Sequence, residues 1–457
     1  MNNRPQNYLH AVRNQYEALP YPFRDPEKEL DSLACNDGFS LDAYNHFGWG
    51  GKRDFRKAVR VLIAGQGTGD SCISFAEQLR DFPNAEIIGL DISQASIDVS
   101  KARLAKRQIT TVKHVHASLL DLPKLGLGKF DIIDCGGVLH HLADPNAGLK
   151  ALKAVLAEDG MLGIMVYGQY GRMALYMVQD LMRRVLPPEM DAHEKVKLCR
   201  EFLGAIPNNH WMTYNNEFMR GDLQEPSGAG IYDLFLHPQD RAYTIPQIYE
   251  WLADASLELV SLFGAYIGEE LYHPERYTQS EALLAQISAK SRPERFAIGE
   301  LMHGHMPTHF FYAAHTPKTP AQLAPDMVMT KSFVRSGDPD MARRIAAEIQ
   351  KCPIGHVYGE DYAELGKAAS IQILRQPLTH VVLSVWDSVR SVEEMLQAAI
   401  HAGSIENSDQ GRNGFMQSLH ALYTDLHRHQ AVYLRHQSVA PYITAREIQL
   451  RAKQFRV

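Results

Sequence analysis

The stretch VLIAGQGTGD, residues 61–70, decides the fold. Its apolar first half is typical of a buried strand, and the glycines at positions 65, 67 and 69 predict a tight turn. The segment that follows, DSCISFAEQLRD, carries apolar residues at helical spacing. We therefore expect a strand, a glycine loop and a helix, which together form the first unit of a nucleotide-binding α/β sheet.

The alternation of strand and helix patterns continues to residue 168. Four further strands are predicted at AEIIGLD, TTVKHVHA, KFDIIDCGG and GMLGIMVYG. One helix is expected after Ser93 as its N-cap, and another is expected to begin at Pro145, with Asp144 as its cap, and to end just before Gly160. Strands and helices that alternate in this way predict an α/β fold with a doubly wound, parallel sheet.

The end of the glycine loop bears on which cofactor it binds. A phosphate-binding P-loop needs Gly-Lys-Ser/Thr, but here Gly69 is followed by Asp70. The dinucleotide pattern needs a third glycine at position 70, where the carboxylate would instead lie near a pyrophosphate, so NAD and FAD are disfavoured. S-adenosylmethionine (SAM) has no phosphates and suits the loop. Asp91, at the end of the second strand, can accept both ribose hydroxyls, although it could also simply cap the next helix.

Composition bounds the class of protein. The chain has 457 residues, a formal net charge of −6 and ordinary hydrophobic content of 45%, so we expect two or three soluble domains and no nucleic-acid partner. The five cysteines form no CxxC motif, which suits a reducing compartment. The polar N-terminus does not resemble a signal peptide, and we see no run long enough for a membrane span. We therefore expect a cytoplasmic location.

The rest of the chain reads less regularly. Residues 172–206 are predicted to be helical, 207–230 to be an irregular loop, and the Pro-rich segment 317–325 to be a linker. Residues 326–457 read as mostly helical, with a strand at THVVLSVWD and a solvated helix face at RHQAVYLRH. A winged-helix-like unit is one option for this region.

Four segments together resemble the successive motifs of class I SAM-dependent methyltransferases: VLIAGQGTGD, IIGLDIS, HASLLDLP and FDIIDCGGVLHHLADP. The resemblance is firm over residues 58–168 and looser to about 316. It implies a Rossmann-like, mostly parallel, seven-stranded sheet over 58–316 with helical insertions at about 172–240 and 265–305. It also implies an N-terminal helical or lid segment at 1–57 and a separate, mostly helical C-terminal domain at 326–457. QYEALPYP, YGRMALY and LHPQDRAYTIPQIY resemble pieces of bacterial members with an extra C-terminal region, which include protein-lysine methyltransferases that modify outer-membrane proteins.

The resemblance implies SAM as the cofactor, cradled by the three glycines, with its ribose held by Asp91. Ile63 stands where many members carry an acid that orients the cofactor's amino group, and Ser118 where many carry an Asp near the adenine. Asp70 is either the substitute for the first acid or a plain first-turn carboxylate favoured by the helix dipole. The full set of expected cofactor-binding residues is Tyr21, Gly65, Gln66, Gly67, Gly69, Asp70, Asp91, Ile92, Ser118, Leu119 and Gly136.

Candidate catalytic residues lie just past the ends of the fourth and fifth strands. They are His140, His141 and Tyr167. A histidine pair there could also be a polar helix start, and a tyrosine is often a packing residue. Tyr16 and Tyr21 could fold over as part of a lid. The histidines of HGHMPTH, residues 303–309, lack a defined ligand geometry, so we predict no metal.

The sequence therefore predicts a SAM-dependent methyltransferase that acts by in-line displacement on a nitrogen or oxygen nucleophile. Protein lysine is the first choice of acceptor. The alternatives are a small-molecule biosynthetic methyltransferase and a SAM-binding regulatory module without turnover. The expected partner is a protein or small-molecule methyl acceptor, and a homodimer is left open.

Overall fold

A central sheet organises the chain in the computed structural model, which describes residues 5–35, 38–213, 219–263, 268–333, 340–364 and 367–455. Its strands are β1 (Val59–Ala64), β2 (Ala85–Asp91), β3 (Val112–His116), β4 (Phe130–Gly136), β5 (Leu156–Gly168), β6 (Ala242–Tyr243), β7 (Glu258–Phe263) and β8 (Thr308–Ala314). The order is β3-β2-β1-β4-β5-β8-β7, and the two-residue β6 pairs with β5. Strands β1 to β5 are parallel, whereas β8 is antiparallel to both of its neighbours. The predicted Rossmann-like, mostly parallel, seven-stranded sheet is confirmed.

Helices cover both faces of the sheet. The helices that connect its strands are α3 (Asp70–Gln78), α4 (Gln94–Lys106), α5 (Pro145–Val155) and α10 (Ile245–Asp254). Ser93 caps α4 by accepting a hydrogen bond from the Ser96 N–H, as predicted. Neighbouring β1 residues Leu62 and Ile63 point to opposite faces and belong to two different apolar cores. The strand is therefore buried on both sides, as its continuous apolar run indicates.

One predicted boundary is wrong. The helix that begins after Asp144 ends at Val155, and β5 starts at the next residue, so Gly160 lies inside the strand rather than after the helix. Leu156 pairs with Phe130, and a register shift follows before Met161 pairs with Ile132. The helical spacing of the sequence continues beyond Val155, but pairing with β4 makes these residues a strand.

Helical segments interrupt the second half of the sheet. Between β5 and β6 lie α6 (Met173–Val185), α7 (Ala192–Gly204), α8 (Arg220–Gln224), α9 (Ala229–Ile231) and a π-helical turn (Tyr232–Leu236). Between β7 and β8 lie α11 (Glu281–Ser288) and α12 (Arg292–His303). Within the segment predicted to be an irregular loop, Trp211–Thr213, α8 and α9 form short helical turns. Residues 214–218 of that segment lie outside the described residues.

The N-terminal segment contains α1 (Pro5–Ala18) and α2 (Leu41–Trp49). The C-terminal region contains β9 (Met327–Lys331), α13 (Met341–Ile349), β10 (Val357–Glu364), β11 (Lys367–Leu374), α14 (Thr379–Val385), α15 (Val392–His401), α16 (Asp409–Arg428), β12 (Val432–His436) and α17 (Ala445–Lys453). Its helices surround an apolar core of their own. The two regions meet where the Leu434 N–H donates to His46 Nδ1 at 3.1 Å.

Two C-terminal predictions are wrong. THVVLSVWD forms helix α14 rather than a strand, because Val382 and Leu383 are fully buried against neighbouring helices and packing overrides β-branched propensity. RHQAVYLRH contains the buried strand β12 rather than a solvated helix face. β12 pairs antiparallel with β9, which lies about a hundred residues earlier in the chain. Among the described residues, no helix is long and apolar enough to cross a membrane.

Candidate functional site

The glycine loop joins β1 to α3 and lies against two other segments. Gly67 has φ +51°, and a Cβ there would lie 2.7 Å from the Tyr21 carbonyl oxygen. Gly69 has φ +104°, and a Cβ there would lie 2.4 Å from Ser100 Oγ on α4. Both positions favour glycine because the backbone is left-handed and the space is filled. The loop therefore holds a backbone shape that side chains would forbid.

Asp91 ties the end of β2 to this loop. Its Oδ2 accepts from the Gly67 N–H at 2.7 Å and its Oδ1 from the Ser93 N–H at 2.8 Å. Burial raises the pKa of the Asp91 carboxyl, while these backbone donors favour its charged form. The carboxylate is thus held at the C-terminal edge of the sheet, where open α/β folds bind ligands.

The other expected cofactor residues lie around the same edge. Ser118 accepts from the Leu120 N–H and begins the 3₁₀ turn Leu119–Lys124, in which Leu119 is buried. The Ile92 carbonyl accepts from His116 Nε2 at 2.9 Å. Gly136 ends β4, where a Cβ would lie 3.3 Å from the Phe39 ring.

Gln66 is buried inside the glycine loop. Its Oε1 accepts from Cys72 Sγ at 3.1 Å and from His114 Nδ1 at 3.0 Å. Its Nε2 has no hydrogen-bond partner within the described part of the chain. A buried amide nitrogen without a partner is costly, so it is a candidate donor to a ligand.

Asp70 is committed to two arginines. Arg24 donates to both of its carboxylate oxygens, at 2.9 and 2.6 Å, and Arg103 donates to Oδ1 at 2.7 Å. These cations outweigh burial and lower the pKa of the Asp70 carboxyl. Asp70 lies in the first turn of α3, as the second of the two roles considered for it predicts, and it also pairs with these arginines. Its carboxylate is already neutralised, which makes it a poor partner for the cofactor's amino group.

Residues 16–29, here called the N-terminal strap, lie across the loop and the start of α4. The Pro22 carbonyl accepts from Thr68 Oγ1 at 2.7 Å, and the Glu17 carboxylate accepts from the Gln94 and Ala95 N–H groups. The Tyr21 hydroxyl donates to Asp222 at 3.1 Å. The strap therefore closes over the edge of the sheet at which the expected cofactor residues gather.

The chain's own groups fit SAM. The glycine cradle leaves room only for backbone, Asp91 presents a carboxylate, and the buried Gln66 Nε2 lacks a partner. None of these groups is a phosphate-binding cation. When bound, SAM supplies an electrophilic methyl group on a positively charged sulfur.

A second group of side chains gathers beyond the ends of β4 and β5, and we call it the histidine–tyrosine cluster: Tyr16, His140, His141, Tyr167, Asp233 and His237. Its centre is the Asp233 carboxylate, which is 1% exposed. Oδ1 accepts from the Tyr16 hydroxyl at 3.0 Å, and Oδ2 accepts from the Tyr167 hydroxyl at 3.1 Å. Burial raises the pKa of the Asp233 carboxyl.

His141 has a defined tautomer. Its Nδ1 lies 3.2 Å from the Gln239 carbonyl oxygen, which can only accept, so Nδ1 carries the proton and Nε2 carries the lone pair. Burial lowers the pKa of His141 to about 4, so the ring is neutral near pH 7. His141 therefore presents an acceptor nitrogen in this region.

His237 has the opposite tautomer. Its Nδ1 accepts from the Gln239 N–H at 3.1 Å, so the proton of the neutral ring is on Nε2, which lies 3.3 Å from the Tyr16 hydroxyl. His141, Asp233 and His237 offer atoms close enough together to hold a metal ion. However, Nδ1 of His237 accepts from a backbone N–H and Nε2 is protonated, so Nε2 could bind a cation only if the proton moved to Nδ1 and that hydrogen bond broke. The hydrogen bonds explain this group without a metal.

His140 and Tyr167 stack at the centre of the cluster. Their ring centroids are 3.8 Å apart, and the Arg172 guanidinium lies 3.4 Å from the centroid of the tyrosine ring. Neither nitrogen of the fully buried His140 has a partner among the described residues. Burial, together with His141 and Arg172, lowers the pKa of His140. All three expected catalytic residues therefore come together.

Sequence reasoning missed several members of this site. Asp233, His237 and Arg172 come from the segment between β5 and β6, and Arg172 lies 3.8 Å from Asp240. The only local signal was the acid inside the apolar run IYDLFLH. His309 of the HGHMPTH segment is fully buried. Its Nε2 lies 3.1 Å from Glu300 Oε1, and its Nδ1 lies 3.0 Å from the Tyr272 hydroxyl.

Comparisons with known proteins agree with this geometry. Residues 62–162 match a family model described as a methyltransferase domain. An uncharacterized protein from Synechococcus sp. is 29% identical over 317 residues, covering 68% of this chain and 73% of that protein. A demethylmenaquinone methyltransferase from Staphylococcus aureus is 31% identical over 107 residues, covering 23% of this chain and 42% of that protein. The structure of PKMT2 from Rickettsia typhi in complex with AdoHcy superposes with a TM-score of 0.60 at 16% identity, covering 87% of this chain and 76% of that chain.

These findings define the class. The chain carries a SAM-dependent methyltransferase domain of the class I, Rossmann-like type, followed by a C-terminal helical region. It is a SAM-dependent methyltransferase, and SAM is its cofactor.

Proposed function

We propose that this methyltransferase acts on the side-chain amine of a lysine in a protein. The observation that carries the proposal is the Asp233 carboxylate, buried beyond the ends of β4 and β5 and held by two tyrosine hydroxyls. A buried carboxylate with aromatic rings around it suits a cationic amine, which it attracts by charge and by cation–π contact.

Asp233 binds the ammonium group and the two tyrosines fix its position. Tyr16 comes from the strap and Tyr167 from β5, so the carboxylate is held from two sides. Because the Tyr167 hydroxyl donates to Asp233, its oxygen remains an acceptor for an N–H group of an amine, whereas the Tyr16 oxygen also faces Nε2–H of His237. Such positioning of a nucleophile is worth about 7–11 kcal/mol of a reaction barrier.

The same residues handle the proton that a lysine must lose before it can act as a nucleophile. In water that loss costs about 4–5 kcal/mol at pH 7. A buried site disfavours both the ammonium and the carboxylate, and burial already raises the pKa of Asp233. The proton therefore passes from the amine nitrogen to the Asp233 carboxylate, leaving a neutral pair.

The comparisons support a large acceptor without deciding it. PKMT2 of Rickettsia typhi, a protein lysine methyltransferase, shares the fold over most of both chains. The Staphylococcus aureus relative is a demethylmenaquinone methyltransferase, and its match covers only 23% of this chain. A small-molecule acceptor is therefore the second candidate.

Product analysis tests the proposal. The purified enzyme is incubated with methyl-labelled SAM and a cell extract split into protein and small-molecule fractions. A matched protein fraction has its lysines blocked by acetylation. We expect label in the untreated protein, recovered as methyl-lysine after hydrolysis, and none in the blocked fraction.

The other outcomes are informative. Label confined to the small-molecule fraction would overturn the protein acceptor in favour of biosynthesis. Label that survives lysine blocking would point to another nucleophile. No label in any fraction from an enzyme that binds S-adenosylhomocysteine would favour a regulatory module.

A further inference from the structure

A second buried carboxylate, Asp134, lies in the sheet and takes no part in the proposed chemistry. It sits in β4 beside Ile63 of β1, because the two residues are partners in the parallel register. Partners in register point to the same face, and neighbouring strands are about 4.8 Å apart. The Asp134 carboxyl therefore lies beneath the glycine loop, next to the apolar Ile63 of the neighbouring strand.

Asp134 is incompletely satisfied. It is 1% exposed, and its Oδ2 has no hydrogen-bond partner among the described residues. The Ser71 hydroxyl and the Gly136 N–H favour its charged form, yet burial dominates and raises its pKa to about 7. An orphaned carboxylate oxygen in the interior is costly unless a ligand completes it.

The groups that face Asp134 do not neutralise it. Those that interact with it electrostatically are Tyr44 of α2, Cys72 of α3, Cys135 of β4 and Tyr312 of β8. None of these four described groups is a cation. Tyr44 is itself buried, with a hydroxyl that has no partner in the described part of the chain. None of these four groups therefore balances the charge of the Asp134 carboxylate, which remains a hydrogen-bond acceptor.

Ser71 connects Asp134 to open space. It follows the glycine loop at the start of α3 and lines a cavity of about 550 Å³ together with Asp70, Arg103 and Arg24 of the strap. Asp70, which lines this cavity, is already neutralised by its two arginines, whereas Asp134, which lies behind Ser71, has no cationic partner among the groups named above. A cationic group entering beneath the loop would therefore be drawn to Asp134 rather than to Asp70.

We propose that Asp134 binds the α-ammonium group of the amino-acid portion of SAM and of S-adenosylhomocysteine. The carboxylate accepts from the ammonium, and Ser71 supports it from the first turn of α3. The inference rests on the cofactor and is independent of the acceptor, because Asp134 lies outside the histidine–tyrosine cluster.

Calorimetry with two ligands tests the assignment. S-adenosylhomocysteine carries the ammonium, and 5′-methylthioadenosine lacks the whole amino-acid portion. We expect Asp134→Asn to weaken binding of S-adenosylhomocysteine by about 10- to 100-fold, as for a lost hydrogen bond to a charged group. Binding of 5′-methylthioadenosine should change by less than about 2-fold. Asp131→Asn is the matched control, because Asp131 lies on the same strand but pairs with Arg53; it should leave both affinities unchanged.

A second measurement needs no variant and so does not depend on one folding. At pH 7, titrations of the wild-type enzyme in buffers of different ionisation enthalpy report the protons released on binding. An ammonium beside Asp134 ionises the carboxyl, so we expect a release of about half a proton with S-adenosylhomocysteine and none with 5′-methylthioadenosine. Equal release with both ligands, or equal weakening of both by Asp134→Asn, would overturn the assignment.

Discussion

The two ends of the binding edge keep their buried polar groups in opposite states. On the β1–β2 side, the buried Glu29 carboxylate pairs with both Arg103 and Arg107. On the β4–β5 side, His140 and His141 are also buried and lie against aromatic rings, and burial lowers the pKa of both. A buried group stays charged where it meets its opposite and stays neutral where it does not.

This difference separates two tasks. The ion pairs hold the strap in one position over the glycine loop, because every charge there depends on its neighbour. The neutral rings surround Asp233 with groups that can give or accept a proton. One side is therefore built for closure and the other for proton transfer.

We expect the largest effect of a substitution at Asp233, which the neutral rings surround. Asp233→Asn keeps the shape but removes the charge and the proton acceptor. We expect kcat to fall by about 10²- to 10⁴-fold, the range for losing an acid–base group. Affinity for S-adenosylhomocysteine should stay within about 2-fold.

The control for this prediction is Asp180→Asn, an exposed carboxylate on α6 that pairs with Arg184. It should leave kcat unchanged. An Asp233→Asn enzyme with wild-type kcat would remove the carboxylate from the chemistry.

On the charged side the expected effect is on stability. Glu29→Gln removes the buried counter-ion that Arg103 and Arg107 share and leaves them only Asp70 and Glu77, so we expect the free energy of unfolding to fall by up to about 3–5 kcal/mol. Glu27→Gln breaks only the exposed pair with Lys106 and should cost less than about 1 kcal/mol. Urea denaturation measures both, and equal losses would contradict the charged assignment of Glu29.

The pH dependence of stability distinguishes the two sides further. Burial lowers the pKa of His141 to about 4 and lowers those of His140 and His237. At these three positions the unfolded chain therefore binds more protons than the folded one below about pH 6.5, so their contribution to stability falls as the pH falls from 7 to 5, whereas the raised pKa of the Asp134 carboxyl acts in the opposite direction. The carboxyl of Asp70 has a lowered pKa, so its contribution is lost only below its ordinary range.

Each such histidine contributes up to about 1.4 kcal/mol per pH unit. His237→Gln should flatten the slope of unfolding free energy against pH by up to that amount, whereas His420→Gln, an exposed position on α16, should not. A slope between pH 7 and 5 that His237→Gln leaves unchanged would mean that folding does not lower the pKa of this ring.

The sequence predicts a region well where its contacts join residues that are close in the chain, and poorly where they join residues that are far apart. The sheet comes from local periodicity, and its topology places the ends of β4 and β5 together, so His141 and Tyr167 were predicted as neighbours. Asp233 is 66 residues from Tyr167 and was missed. Its partner Tyr16, considered only as part of a lid, is 217 residues away.

The C-terminal region shows the same limit. The β-branched run of α14 has the local signature of a strand, and only its burial among helices makes it helical. β12 exists because β9 supplies its hydrogen bonds from about a hundred residues away. Neither fact is encoded in spacing along the chain, whereas the glycine loop is complete within ten residues.

The smallest effect concerns how the strap is latched. Thr68→Val keeps the shape of the side chain and removes the hydroxyl that donates to the Pro22 carbonyl. A neutral hydrogen bond of this kind contributes about 1 kcal/mol, so the strap should open about 5-fold more often. Hydrogen exchange of strap amides should speed up by that factor, and S-adenosylhomocysteine should dissociate faster if the strap gates it.

Thr424→Val, which removes a hydroxyl bonded within α16, is the control. If exchange becomes faster but dissociation of S-adenosylhomocysteine does not, the ion pairs of Glu29 and Asp70, rather than the Thr68 hydrogen bond, set the rate of dissociation. Closure of the strap would then depend on the charged side alone.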